Sequence, residues 1–295
     1  MAYTISARSE DNVRSKKKNS QKAGRVWDAI WSNALTFILV IAWILPVVWI
    51  VLKSFDSRNG YVYPDFNISW SFANYTGLFT KTDFGKWLGN TVLVACVNCV
   101  ATTFVTILTA FVLSRFRFKG RKALMNISLI LGMFPGFMAM IAVYLILNML
   151  GLINNIWSLL LFYVAGAGLG FFTSKGYFDT IGKEIDEAAM LDGASQLRIF
   201  FQIFLPLAKP IIIYTALIAF MAPWTDYILA GLVLTGSANE TVAVGLYGWM
   251  DTMNINKYFN SFAAGCVIVA IPTVALYVGL QRFFVSGISA GAIKG

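Results

Sequence analysis

Six long stretches of apolar residues constrain this chain more than any other feature of its sequence. An α-helix needs roughly 20 apolar residues to cross the hydrocarbon layer of a membrane, and each stretch approaches that length. The apolar residues go all the way round each helix, whereas a surface helix would carry them on one side. A soluble protein of 295 residues could not bury six such helices. The sequence therefore predicts an all-α integral membrane protein with six transmembrane helices, near Ala34–Leu52, Asn90–Leu113, Ala123–Met149, Ile156–Phe172, Ile211–Leu234 and Ser261–Val285.

The composition argues against a soluble enzyme. Charged residues make up 13% of the chain, about half the share of an ordinary globular domain. The chain has no histidine and only three cysteines, which argues against histidine-based catalysis and against structural metal sites. No phosphate-binding loop of the G-x-x-x-x-G-K-[ST] type occurs in the sequence. We therefore expect a membrane protein that is not an enzyme and that binds no cofactor or metal directly.

The basic residues predict the orientation in the membrane. If the N-terminus is cytoplasmic, 18 of the 23 Lys and Arg residues fall on the cytoplasmic side, as the positive-inside rule requires. Both termini are then cytoplasmic, and the net charge of +9 needs no nucleic-acid partner. The first apolar stretch follows a polar tail without a cleavage site, so it is interpreted as an anchor. The predicted organisation is a basic cytoplasmic tail over residues 1–33, a six-span domain over 34–285 and a cytoplasmic tail over 286–295.

Three loops are long enough to carry function. Residues 54–89, predicted outside, contain ten aromatic residues, which suits an interfacial aromatic belt or a docking surface for an external partner. Residues 235–260, also outside, form a polar loop, and loops of this length are often functional. Residues 173–210 are predicted to be cytoplasmic and are the only polar stretch with a clear helical pattern.

The cytoplasmic loop is predicted to form two short helices. Residues from Lys183 to Asp192 are mostly good helix formers, and Gly193 is suited to end the first helix in a left-handed conformation. Ser195 can cap a second helix, which Pro206 and Pro210 would end before the fifth span. The pattern alone leaves two alternatives: a helical hairpin packed on the membrane face, or an amphipathic helix that docks into a partner's groove.

The spacing of this loop resembles a known motif. Glu187-Ala188-Ala189 is followed by three residues, Gly193, nine residues and then Ile203-x-Leu205-Pro206. These seven positions match the EAA loop of permease subunits of ATP-binding cassette importers. Further stretches resemble the sugar branch of that family, among them residues 113–120 and 151–154. Residues 241–246 and 281–295 resemble its MalG-type maltose-transporter permeases.

The resemblance implies a fold, partners and a function. It implies the type I importer permease fold, in the inner membrane of a bacterium, with a second homologous permease, two copies of an ATPase, an extracytoplasmic sugar-binding protein and surrounding lipid. ATP and Mg²⁺ would bind to the partner ATPase. The chain would carry a carbohydrate, with maltose and maltodextrin favoured over another sugar or glycerol-phosphate. The EAA residues would contact the ATPase, and the tail with Gly291, Lys294 and Gly295 would reach between the two ATPase subunits.

A single acidic residue, Asp226, lies inside a predicted span. Such a carboxylate must face protein or water, so Asp226, with Trp224 or Tyr227, could line the translocation path. Structural pairing and a role in proton coupling remain open as alternatives. A secondary transporter driven by an ion gradient would need several intramembrane titratable groups or repeated halves, and the sequence favours the ATP-driven importer over it.

Overall fold

In the computed structural model, the structure is described for Trp27 and residues 30–58, 67–236 and 238–292. For residues 282 and 284–292 only the backbone is described. Within these ranges the regular secondary structure is helical, and the only β-type pairing is an isolated bridge between Asp56 and Trp70. The prediction of an all-α protein is therefore confirmed for the described residues.

The chain divides into two units, Met1–Lys53 and Ser54–Gly295. The helix of the first unit, α1, covers Ile30–Ser54. The helices of the second unit are α2 (Ala73–Lys81), α3 (Phe84–Arg115), α4 (Arg121–Gly132), α5 (Gly136–Met149), α6 (Ile156–Ala167), α7 (Phe172–Asp179), α8 (Glu184–Leu191), α9 (Gln196–Leu207), α10 (Lys209–Thr225), α11 (Ile228–Val233), α12 (Val242–Gly248) and α13 (Ile255–Ala292).

Helix α3 is the central element of the second unit. It packs against α10, α6 and α7, and its first turns also contact α12. In its middle the buried Asn98 donates a hydrogen bond from Nδ2 to the Ala219 carbonyl of α10, at 2.7 Å. A polar group in an apolar interior must find such a partner. Because α3 has 32 residues, it connects the two ends of the unit, which hold different sites.

The predicted spans agree with the helices in number only if bent helices are counted as single spans. Four described helices are long and apolar enough to cross a membrane, and the number rises to six if each of two bent pairs is one span. The third predicted span, Ala123–Met149, is not one straight helix, since α4 and α5 meet at 101°. The chain leaves the helical conformation at Pro135 (ψ 123°), which has no N–H to continue the helical bonding.

The second bent pair is α9 and α10, which meet at 82°. Pro210 lies in the first turn of α10, where a missing N–H is tolerated. Pro206 lies near the end of α9. The predicted turn from the cytoplasmic loop into the fifth span is therefore present, at Ala208. The fifth predicted span itself is covered by α10 and the short helix α11.

The aromatic loop before α3 packs partly on itself. The Phe55 ring contacts the rings of Trp70, Phe72 and Tyr75, with centroids 5.2–5.9 Å apart. Trp70 and Phe72 nevertheless stay about two-thirds exposed. An interfacial belt and a docking surface both remain compatible with exposed rings of this kind. Three of the aromatic residues singled out, at positions 61, 63 and 66, lie outside the described residues.

Candidate functional site

The loop with the EAA spacing folds into the two helices that its sequence predicts. Helix α8 ends at Leu191, and Gly193 follows with φ +79°, a conformation that costs other residues about 1–2 kcal/mol. Ser195 caps α9, because its Oγ accepts a hydrogen bond from the Arg198 N–H. Between Ile199 and Phe204 the helix is π-helical. The helical period of the second predicted helix is therefore distorted locally.

The first EAA residues lie on an exposed helix. Glu187 and Ala188 are exposed, whereas Ala189 is buried against the rest of the protein. Apolar side chains beside them are open to solvent, with Leu191 90% and Leu197 71% exposed. Exposed apolar surface next to polar residues is typical of a protein-docking site. We call α8, Gly193 and the start of α9 up to Leu197 the docking elbow.

The later residues of the motif lie in and beyond the π-helical segment. Ile203 and Leu205 are half-buried and Pro206 is exposed. Between them Phe204 is fully buried, with its ring centroid 4.8 Å from that of Phe111 on α3. The structure therefore does not gather all seven motif residues on one surface: the first four belong to the docking elbow, and the last three belong to the segment that attaches it to α3.

An ion pair that the sequence analysis missed joins the docking elbow to α3. The Arg115 Nε lies 2.7 Å from Asp186 Oδ2, and both side chains are at most 10% exposed. Arg115 also donates from Nη2 to the Ile181 carbonyl at 2.9 Å, and its guanidinium lies 4.8 Å from the centroid of the Phe204 ring. One side chain at the end of α3 therefore contacts α8, α9 and the turn between α7 and α8.

Burial of this ion pair shifts the pKa of Asp186. Burial raises the pKa of Asp186 above its ordinary value, although Arg115 acts in the opposite direction. The other carboxylate oxygen, Oδ1, is buried with no hydrogen-bond partner among the described residues. No local signal in the sequence marks this pair, because the two residues are 71 positions apart.

The intramembrane acid Asp226 lies in the break between α10 and α11. Its Oδ2 accepts a hydrogen bond from the Tyr163 hydroxyl at 2.7 Å, and its Oδ1 accepts one from the Leu229 N–H at 3.1 Å. Trp224 is buried, whereas Tyr227 is 39% exposed and stacks on Tyr247, with centroids 4.2 Å apart. The three predicted path residues therefore occupy different surroundings, and only Tyr227 presents a largely open surface.

A groove between α3, α6, α7 and α10 is lined by uncharged residues. It has a volume of about 400 Å³, and none of the described residues that line it is charged. Its polar groups are amides and hydroxyls, supplied by Asn98, Thr102, Thr106, Tyr163, Thr173, Ser174, Tyr214 and Thr215. Such a lining can form hydrogen bonds with a neutral, hydroxyl-rich solute, and it offers no charge to an ion.

The predicted ATPase-interface tail lies only partly within the described residues. Gly291 lies at the end of α13, and Lys294 and Gly295 lie outside the described residues. Among the residues that the structure does describe, no three or more Asp, Glu, Cys or His side chains lie together in a possible metal site.

Comparison with known proteins places the chain in a family. The sequence model described as "Binding-protein-dependent transport system inner membrane component" matches residues 102–290. The chain is 36% identical to the maltodextrin transport system permease protein MalD of Streptococcus pneumoniae (strain ATCC BAA-255 / R6), over 90% of this chain and 96% of MalD. It is 33% identical to the galactooligosaccharides transport system permease protein GanQ of Bacillus subtilis (strain 168), over 93% and 98% of the two chains.

A solved structure supports the same conclusion for the fold. A chain in the crystal structure of a bacterial ABC transporter involved in alginate import is similar to this chain, with a TM-score of 0.76 and 23% sequence identity. The similarity covers 87% of this chain and 96% of that one. Together with the family match, it shows that this chain belongs to the inner membrane components of binding-protein-dependent transport systems, the permease subunits of ABC importers.

Proposed function

We propose that this chain is the membrane subunit of an ATP-driven carbohydrate importer, with malto-oligosaccharides as its cargo. The relatives support this proposal, because the names of MalD and of the Bacillus subtilis permease MdxG, which is 36% identical, refer to maltodextrin. GanQ and the alginate transporter carry the names of other carbohydrates. Another sugar or glycerol-phosphate is therefore the second candidate. The uncharged groove fits neutral sugars better than it fits a phosphate ester.

The observation that carries the proposed coupling is the attachment of the docking elbow to α3. An exposed apolar helix suits a groove on a partner ATPase, and Glu187 can pair there with a basic side chain. Motion of α8 would then pass through Arg115 to the end of α3, because the buried ion pair and the Phe204 contact resist separation. Helices packed in this way move as nearly rigid bodies.

The proposal includes an assembly. A second, homologous permease would supply the other half of the translocation path, and two copies of the ATPase would bind ATP and Mg²⁺. An extracytoplasmic sugar-binding protein would deliver the sugar; one alginate transporter structure similar to this chain was solved with such a periplasmic protein. Trp224, Asp226 and Tyr227 stay predictions as path residues, and the hydrogen bonds of Asp226 favour a structural role for that side chain.

The coupling role can be tested by two substitutions in the docking elbow. Glu187→Gln removes the exposed charge, and Gly193→Ala places a side chain at a positive φ. We expect each to lower ATP-dependent maltotriose uptake about tenfold while membrane insertion is unchanged. Uptake is measured in cells that express the complete transport system, and insertion is measured as the amount of chain in washed membranes.

Two matched variants control for local disturbance. Glu184→Gln alters another exposed acid of α8, and Gly176→Ala adds a methyl group where no atom lies within 4 Å. Both should transport normally. If Glu187→Gln and Gly193→Ala behave like these controls, the coupling assignment is wrong. If uptake continues on an ion gradient without ATP, the importer assignment is wrong as well.

A further inference from the structure

A second cavity lies at the opposite end of α3 from the docking elbow. It has a volume of about 550 Å³ and is formed between the first turns of α3, α11, α12 and the segment before α12. Trp87, in its wall, precedes Arg115 by 28 residues of helix, which corresponds to about 42 Å at 1.5 Å per residue. The cavity is in the usual size range for small-molecule sites, about 300–1,000 Å³.

The wall of this cavity is held in place by neutral hydrogen bonds to α3. Asn90 donates from Nδ2 to the carbonyls of Ala238 and Glu240, at 3.0 Å each. The buried Thr91 hydroxyl accepts a hydrogen bond from the Val242 N–H at 2.8 Å. These bonds fix both the segment before α12 and the first turn of α12, so the cavity is preformed.

A glycine allows the aromatic wall to pack this closely. A Cβ atom on Gly245 of α12 would lie 2.2–2.5 Å from three atoms of the Trp87 ring. Trp87 is only 5% exposed and cannot move aside freely. Contact between α12 and this ring therefore requires glycine at position 245.

Aromatic rings form much of the cavity surface. Tyr227 and Tyr247 stack on each other, and Tyr247 remains 57% exposed. Trp249 lies nearby and stacks on Tyr258, with an interplanar angle of 16°. Tyr227 and Tyr247 each have one face covered by the other ring and can offer the remaining face to a ligand. Trp249 packs against both Tyr258 and Trp87, whose ring centroid lies 5.4 Å away. The rings form a wall and not a cage, which is the arrangement expected for a flat ligand and not for a small cation surrounded by rings.

One carboxylate completes the lining. Glu240 is the only charged residue among the described residues that line the cavity. Burial and the nearby Asp83 raise its pKa. A carboxylate accepts strong hydrogen bonds from hydroxyl groups, and the slightly negative ring faces attract polarised C–H groups. A pyranose ring presents both, with C–H groups on its faces and hydroxyls at its edge.

We propose that this cavity is a carbohydrate-binding subsite at the outer end of the translocation path, with Tyr247 and Tyr227 as the stacking rings, Trp249 beside them in the wall and Glu240 as the hydroxyl acceptor. The inference rests on the proposed function, and it adds a sugar contact at the entrance of this subunit. Its position supports the role. Tyr227 lines this cavity and follows Asp226, whose hydrogen-bond partner Tyr163 lines the uncharged groove. The two cavities therefore border the same helix break.

Photolabelling of the assembled importer tests this subsite. The probe is maltotriose that carries a diazirine group, added to membrane vesicles that contain the complete transporter without nucleotide. Labelled peptides are then mapped by mass spectrometry. We expect labelling within residues 240–249, competed by excess maltotriose and not by choline. Tyr247→Ala and Glu240→Gln should each reduce this labelling about tenfold, whereas Tyr247→Phe, which keeps the ring, should retain it within about twofold.

Matched controls are available elsewhere on the chain. Tyr277→Ala removes an exposed tyrosine of α13 that does not line the cavity, and Asp251→Asn neutralises an exposed acid at the same end. Both should label like the wild type. The inference is overturned if the wild type is not labelled in the cavity, if Tyr247→Ala labels like Tyr277→Ala, or if choline competes better than maltotriose. Maltotriose import by the same vesicles, with ATP supplied, separates the two failures: import without cavity labelling overturns only the subsite, and absence of import overturns the proposed function.

Discussion

The two ends of α3 are attached to their neighbours by different chemistry. At the docking elbow, α8 is attached to α3 by a buried ion pair, Arg115 with Asp186. At the opposite end the comparable contacts are made by neutral groups, the Asn90 amide and the Thr91 hydroxyl. The described ion pairs at that end join residues only two or three positions apart, Asp56 with Arg58 and Asp83 with Lys86.

The two kinds of attachment differ in how strictly they fix the arrangement of the packed helices. A buried ion pair adds little net stability, because both charges lose their hydration, but it becomes very unfavourable if one partner is removed. It therefore favours one arrangement of α8 on α3 over all others, as the proposed transmission of motion would require. Neutral hydrogen bonds hold the cavity at the Trp87 end of α3 in shape without adding a charge of their own.

The largest expected effect is at the docking elbow. Arg115→Ala leaves the Asp186 carboxylate buried without a cation, and the loss of one partner of such a pair lowers stability by about 3–5 kcal/mol. We expect a clear fall in the melting temperature of the detergent-solubilised chain, and loss of ATP-dependent uptake. Arg117→Ala, an exposed arginine two residues away, is the control. Equal melting temperatures for the two variants would show that the ion pair does not hold the elbow.

A smaller loss of stability is expected at the Trp87 end of α3. Thr91→Val keeps the side-chain shape but leaves the buried Val242 N–H without its acceptor, at a cost of about 1–3 kcal/mol. Because no charge is involved, the loss in unfolding free energy should be the same at low and high salt. Thr76→Val removes an exposed hydroxyl that bonds only within its own helix and serves as the control. A strong salt dependence of the Thr91→Val effect would contradict the proposed contrast between the two ends.

The smallest expected effect is on the pH dependence of stability, through Glu240 in the cavity at the Trp87 end of α3. The pKa of Glu240 is raised in the folded protein, by burial first and then by Asp83. The folded state therefore holds this proton up to a higher pH than the unfolded chain does. The resulting stabilisation is complete below the ordinary glutamate pKa and is lost as the pH rises through the raised value. Glu240→Gln should remove this part of the pH dependence in a series of thermal melts, and an unchanged slope would contradict the burial of the carboxylate.

Local features of the structure could be predicted from the sequence. The ends of α8, the left-handed Gly193 and the cap at Ser195 follow from residue types and their spacing, because each depends on neighbours a few positions away. The long apolar helices follow for the same reason. The bend at Pro135 could be predicted only in part. Proline predicts a weakened helix, but the angle of 101° between α4 and α5 does not follow from it.

The candidate sites were predicted only in part. The seven motif positions predict the loop that forms the docking elbow. They do not single out Asp186, although it is the residue before Glu187. Tyr227 stays a prediction as a path residue, and the sequence does not place its stacking partner Tyr247 or the carboxylate of Glu240 beside it. These sets join residues from separate helices, and no spacing rule relates them.

The sequence by itself determined that this chain is a bundle of apolar helices with one polar, two-helix elbow, because hydropathy and capping act over a few residues. Only the tertiary structure decided which residues meet: Arg115 with Asp186, Tyr163 with Asp226, and Trp87 with Gly245. Side chains in a close-packed interior find partners according to shape and the need to satisfy each polar group. Those conditions are set when helices distant in sequence pack together.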